Sequence, residues 1–173
     1  IPDSIVKKPG KLTDQEYELI QTHAQKGYEI LQSKKIDERI KNAALMHHER
    51  CDGKGYPLGL LSDQIDDFAK IVAIADVYDA MTANRIYRQA VCPFEVIEIF
   101  EQDGYQKYDP KFLMPFLEQI SQSYIHNSVR LSNDEKGEVV MINRLCLSKP
   151  VIKVDDQYID LSKNHSITIK NVL

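Results

Sequence analysis

The chain has 173 residues, 43% of them apolar and 28% charged, with 22 Lys and Arg against 26 Asp and Glu. That length suits one ordinary domain with a sizeable core, or a domain plus a small appendage, and excludes two full domains. The net charge of -4 and the scatter of basic residues argue against a nucleic-acid polymer as partner, and no apolar run approaches the roughly 18 residues of a membrane span.

The opening residues lack the order of a signal peptide, and Cys51, Cys92 and Cys146 form no CxxC pair, so a cytoplasmic setting with reduced thiols and no membrane contact is expected. Thr13 with Glu16 makes a capping box, after which Tyr17, Ile20, Ala24, Tyr28 and Leu31 recur at helical spacing as one buried stripe, with Gly27 a candidate break. Ile36, Ile40, Ala43, Ala44 and Met46 predict a helix that runs into His47 and His48, and a loop follows at Cys51. The run "FAKIVAIADVYDAM" is apolar on most faces and predicts a buried helix ending near Asn84. Pro93 and Pro110 suit the first turns of two more, which makes five or six helices.

Near Ile125 the period changes. Short apolar segments around Val129, Val139, Val151 and Tyr158, separated by "NDEKG" and "DDQ", predict four or five strands joined by hairpin turns. The expected fold is therefore mostly α: a helical bundle over residues 1–126 with a small β-hairpin or barrel-like extension over 127–173.

The chemistry concentrates in "HHERCDGKGYP", residues 47–57. Adjacent residues on a regular helix point about 100° apart, so His47 and His48 do not easily converge on one ion but can address two neighbouring ones. The plainer alternative is one core histidine and one in solvent. Asp76, in the most apolar helix, would cost several kcal/mol to bury without a cation, although an arginine partner or a helix cap would also satisfy it. Asp79 falls on nearly the same face. His23 is either a half-buried core residue or a ligand, and imidazoles with a carboxylate suit Fe, Mn, Zn or Ni better than Mg or Ca alone. Arg85 and Arg88, three apart, are either surface charge or a phosphate clamp.

Together "IPDSIVKKPGKLT", "THAQKGYEIL", "HHERCDGKGYPLGL", "IVAIADVYDAMT" and "NRIYRQA" resemble the HD-GYP domain family across about residues 1–120. The resemblance implies a helical HD domain that hydrolyses cyclic di-GMP or a related cyclic dinucleotide through a hydroxide bridging two or more metal ions, Fe or Mn first, with Zn or Ni as alternatives. It assigns His23, His47, His48 and Asp76 as metal ligands, with His47, His48 and Asp76 as the catalytic centre. It places Tyr56 near the substrate, where it could stack on a guanine or offer its hydroxyl, and Arg85 and Arg88 on the phosphates. Ile86 stands where the family commonly has proline. Glu49 and Asp52 are expected to orient the histidines or hold the loop, whereas Gly53 and Gly55 let the backbone turn.

The family's His-Asp dyad would precede "IPDSI", whereas this chain opens at Ile1. An upstream part of a longer protein, or a trimmed piece lacking two ligands, is expected. A piece without them would hold an ion weakly and could be inert. Two function classes remain open: the phosphodiesterase, and an inactive HD-GYP module that binds nucleotide or a partner such as a diguanylate cyclase domain. An upstream sensory domain is a further expected partner.

Overall fold

Thr13 fixes the start of the first long helix. Its Oγ1 accepts the Glu16 N–H at 3.3 Å, while the Glu16 carboxylate accepts the Thr13 N–H at 2.8 Å and the Lys8 ammonium at 2.6 Å. The structure, a computed structural model, describes residues 1–84 and 89–173. It divides into two units, Ile1–Ala90 with Gln106–Phe112, and Val91–Tyr105 with Leu113–Leu173.

In the first unit a short α1 (Asp3–Val6) precedes α2 (Asp14–Gln32), α3 (Glu38–Met46) and α4 (Asp67–Thr82). Asp37 and Asp66 cap α3 and α4 by accepting the Arg39 and Phe68 N–H groups, each at 2.9 Å. α2 runs unbroken through Gly27, and α3 lies against both α2 and α4. The seam is made of small side chains. Ala24, Ala69 and Ala73 are buried beside Leu45 and Ile74, so the backbones approach closely and hold whatever the helix ends carry.

Two expectations are corrected here. α4 is not buried on most faces: Ala69, Ala73 and Ile74 face inward, but Phe68, Ile71 and Val72 are 42–44% exposed. The stripe on α2 is likewise only partly covered, with Ala24 buried and Tyr17 exposed. Alanine supplies most of the inward face of both helices, joined by Ile74 on α4, and the other large side chains stand around the rim.

The segment from residue 106 to 112 is tied to this unit by polar contacts. The Lys107 carbonyl accepts the Cys51 N–H at 2.9 Å, and the Lys70 ammonium, 10% exposed, reaches Asp109 at 3.0 Å and Asp67 at 3.7 Å. Hydrogen bonding and charge from Lys70 hold Asp109 below the usual carboxylate range despite partial burial.

In the second unit Pro93 occupies the first turn of α5 (Pro93–Ile99), which continues through a π-turn at Phe100–Gly104. α6 (Tyr105–Lys107) and α7 (Pro110–Ser123) straddle the division between the two units. Strands β1 (Ser128–Leu131), β2 (Lys136–Met141), β3 (Val151–Val154), β4 (Gln157–Asp160) and β5 (Ile169–Val172) form one antiparallel sheet in the order β4-β3-β2-β1-β5. Val129, Leu131, Val139 and Ile152 are fully buried, about 1.5–3 kcal/mol of transfer free energy each, and α5 meets β5. The β part is thus a five-stranded sheet, larger than the small extension expected. It outgrows a lone hairpin because two-stranded ribbons bury too little apolar surface to stand alone.

Candidate metal centre

Three imidazoles meet at one point. His23 Nε2 lies 3.1 Å from Nε2 of His47 and 3.1 Å from Nε2 of His48. The backbone decides the tautomers. His23 Nδ1 is 2.7 Å from the Ile20 carbonyl, and His47 Nδ1 lies 3.1 and 2.9 Å from the Ala43 and Ala44 carbonyls. A carbonyl only accepts, so both Nδ1 atoms carry the proton and both Nε2 atoms present lone pairs. With neutral rings no arrangement of protons satisfies the His23–His47 contact, because two lone pairs face each other. A cation between them removes the conflict.

His47 and His48 lie close together at the end of α3 for a local reason. His47 caps α3 and still donates its N–H to the Ala43 carbonyl at 3.2 Å, whereas the Glu49 N–H turns back to the Met46 carbonyl at 2.9 Å, so the chain tightens at His48. The two rings are 4.1 Å apart and tilted by 40°. Burial, followed by the neighbouring His47 and His23, pushes the His48 imidazole down to about 4, which keeps its lone pair free near neutral pH.

Asp76 stands apart from the three-nitrogen cluster. Its Oδ2 lies 4.0 Å from Nδ1 of His48, on the side away from His23, and its side chain is 45% exposed. The buried carboxylate anticipated in the apolar helix is thus corrected: Asp76 shares the outward stripe of Ile71 and Val72, where little desolvation has to be overcome. Arg85 and Arg88 lie outside the described residues.

The loop after the histidines is held by Glu49, which is 3% exposed. Its carboxylate accepts the N–H groups of Leu58 at 2.6 Å, Gly59 at 3.2 Å and Leu60 at 2.9 Å. Of the two roles open to Glu49, holding the loop is the one these bonds serve. Asp52 pairs with Arg50 and accepts the Lys54 N–H at 3.1 Å. The loop returns so that the Tyr56 N–H reaches the His48 carbonyl at 3.2 Å, with the Tyr56–Pro57 peptide cis. The Tyr56 ring then stacks on His48, 4.6 Å between centroids at 30°, and meets Tyr17 edge-on at 6.5 Å. One face of Tyr56 is therefore taken by an imidazole. Burial raises its hydroxyl pKa, so it remains an O–H donor.

Two glycines are needed for different reasons. Gly53 has φ of +73°, in the left-handed region, whereas a Cβ on Gly55 would come within 2.4 Å of the Glu49 Cα and the Arg50 nitrogen. Gly55→Ala is therefore expected to displace the loop from Glu49 and lower stability by about 2–4 kcal/mol. Chemical denaturation checks this, and a change under about 0.5 kcal/mol would contradict it.

A cavity of about 310 Å³ opens beside the cluster, lined by His47, His48, Tyr56, Arg50, Lys54, Tyr17 and Tyr108 among others. Arg50, Lys54 and Tyr108 are not among the site residues expected from the sequence, and Tyr17 is expected only as part of the stripe on α2. Arg50 and Lys54 are in the quoted motif and could have been found as its cations, but Tyr108 reaches the site only through the 106–112 segment. The Arg50 Nε is buried without a hydrogen-bond partner among the described residues.

His48 also predicts a pH dependence for chelator-treated protein. Its folded pKa lies below the ordinary 6.5, so the unfolded chain takes up the proton first and stability falls as pH drops from about 6.5 to about 4. The loss expected is about 2–3 kcal/mol. Denaturation of wild type against His48→Gln across that window measures it, with the flatter profile expected for the variant.

The donor set fits a transition metal. Neutral imidazoles suit Fe, Mn, Zn or Ni over Mg or Ca, and a 3.1 Å spacing is near that of two cis nitrogens with bonds of about 2.1 Å to one ion. His23, His47 and His48 form the group of potential ligands found among the described residues.

A sequence model described as HD domain matches residues 1–112. The chain is 36% identical to cyclic di-GMP phosphodiesterase PA4108 of Pseudomonas aeruginosa over 156 residues, 89% of this chain and 37% of that protein. It is 40% identical over 120 residues to 3'3'-cGAMP-specific phosphodiesterase 2 of Vibrio cholerae, 68% of this chain and 23% of that protein. Over 93 residues it is 46% identical to the cyclic di-GMP phosphodiesterase response regulator RpfG of Xanthomonas campestris, 52% of this chain and 24% of that protein. The chain thus spans 23–37% of these relatives' length. No helix among the described residues is long and apolar enough to cross a membrane.

Proposed function

This chain belongs to the HD domain family, and from that premise we propose that it carries the metal-binding core of a phosphodiesterase that opens cyclic dinucleotides such as cyclic di-GMP or 3'3'-cGAMP. The observation that supports this most is the convergence of three Nε2 atoms, two of which, on His23 and His47, face each other with lone pairs that no placement of protons on neutral rings can match. The names carried by the relatives supply the substrate class.

His23, His47 and His48 would hold the ion, for which Fe or Mn is the first choice and Zn or Ni the alternative. A bound ion of this kind acidifies water and offsets negative charge on a phosphodiester. The remaining work belongs to the chain. Carbonyls of α2 and α3 lock the proton onto the outer nitrogens of His23 and His47. Asp76 places negative charge beside Nδ1 of His48 and so favours a proton there, turning the His48 lone pair inward. Tyr56 offers an O–H to a substrate oxygen, and Arg50 and Lys54 bring positive charge to the same cavity. Arg85 and Arg88 are proposed as further phosphate contacts, Glu49 as the brace of the loop and Asp52 as the partner of Arg50.

The test is incubation of the chain with Mn or Fe and either cyclic dinucleotide, following the linear product. Turnover abolished by chelator and by His47→Ala is expected. Nucleotide binding without metal and without product would instead favour the inactive module.

A further inference from the structure

The ring of Tyr17 belongs to two cavities at once. On one side it lines the histidine cavity with Tyr56 and His48, and on the other it walls a groove of about 590 Å³ between α1 and α2. Ile5, Val6, Leu12 and Ile20 make that groove largely apolar, and Lys8, Lys11 and Asp14 stand at it. The two lysines differ. Lys8 is tied to Glu16 at 2.6 Å, whereas Lys11 has no ion pair among the described residues. Tyr17 is 49% exposed, while Tyr56, which touches it edge-on, already has one face against His48.

We propose that this groove is a guanine subsite, with Tyr17 stacking on the base and Lys11 donating to its O6 and N7 edge. The inference rests on the cyclic-dinucleotide reading above and goes beyond it by assigning the base. An apolar slot with one cation and one carboxylate outside any ion pair among the described residues matches a flat aromatic ring that carries two acceptors on one edge and N–H donors on another. Guanine presents O6 and N7 as acceptors, whereas adenine presents N6 as a donor at the same place, so the ammonium favours guanine. Aromatic stacking alone accepts any base and supplies affinity without choice. The order of rings, His48, then Tyr56, then Tyr17, leads from the imidazole cluster to the groove, so a nucleotide with its phosphate at the histidines would have its base directed there.

Calorimetric titration of the whole chain with cyclic di-GMP and with cyclic di-AMP tests this. Tyr17→Ala should weaken cyclic di-GMP about 5- to 100-fold, and Tyr17→Phe should restore most of it. Lys11→Ala should narrow the preference for cyclic di-GMP over cyclic di-AMP by about tenfold or more. Wild-type affinity for cyclic di-GMP in both Tyr17→Ala and Lys11→Ala would overturn the subsite while leaving the phosphodiesterase reading intact. Wild type that binds neither nucleotide, and cleaves neither with metal present, would overturn both.

Discussion

Glu49→Ala is expected to destabilise the protein by about 2–4 kcal/mol and to release the loop from Tyr56 to Leu60. The carboxylate is buried and serves three N–H donors, two through Oε1 and one through Oε2. Hydrogen bonds to an ionised acceptor are about twice as strong as neutral ones, and their removal strands all three donors at once. Part of the loss returns because Leu58 is exposed enough for its amide to find water once the loop opens. Glu49→Gln should fall between the two, since one amide oxygen still accepts while the NH2 group opposes a donor. Hydrogen exchange at residues 58–60 reads the local effect and denaturation the global one. Protected amides and an unchanged midpoint in Glu49→Ala would show that the loop is held by something else. Because Tyr56 stacks on His48, the release should also loosen that imidazole.

His23→Ala has the larger chemical effect. His23 Nε2 lies 3.1 Å from Nε2 of each of the other two, so its removal leaves His47 and His48 without that shared partner. Loss of an outer contact to a ligand already costs about 10–100-fold in metal affinity, and loss of the ligand itself should exceed about 100-fold. Turnover should fall at least in step. His165, exposed at the far end of the sequence, provides the comparison: His165→Ala should leave affinity unchanged. Equal affinities in the two variants would remove His23 from the site.

Much of this was legible in the residues. The Thr13 and Glu16 pair gave the start of α2 because a capping box is a local event, and Pro93 placed the first turn of α5 for the same reason. The turn residues around Asn133 and Asp155 likewise marked the hairpins, with Asp134 and Asp155 at positive φ. What failed was anything that depended on which side of a helix meets another. The apolar content of α4 suggested burial all round, yet its inward face needs only Ala69, Ala73 and Ile74, and Asp76 is left in the open.

The site divides in the same way. His23, His47, His48, Tyr56 and Glu49 were nameable from the motif, but their mutual geometry was not. The 100° spacing describes a regular helix, whereas the chain tightens just past Met46, and the sequence does not show how close that brings the two rings. Gly55 was legible as a turn residue and not as the point where the loop passes against Glu49. Tyr17 carried only a core label, because a tyrosine at helical spacing looks the same whether it faces a neighbour or a cavity.

On the reading proposed above, the Nε2 atoms of His23, His47 and His48 hold one metal site. X-ray absorption at the metal edge of the Mn- or Fe-loaded protein tests it most directly, compared with the same measurement on His23→Ala. An imidazole shell at about 2.0–2.2 Å is expected in the wild type, shrinking by one nitrogen in the variant. A shell of oxygen alone, or a nitrogen shell unchanged by the substitution, would contradict it.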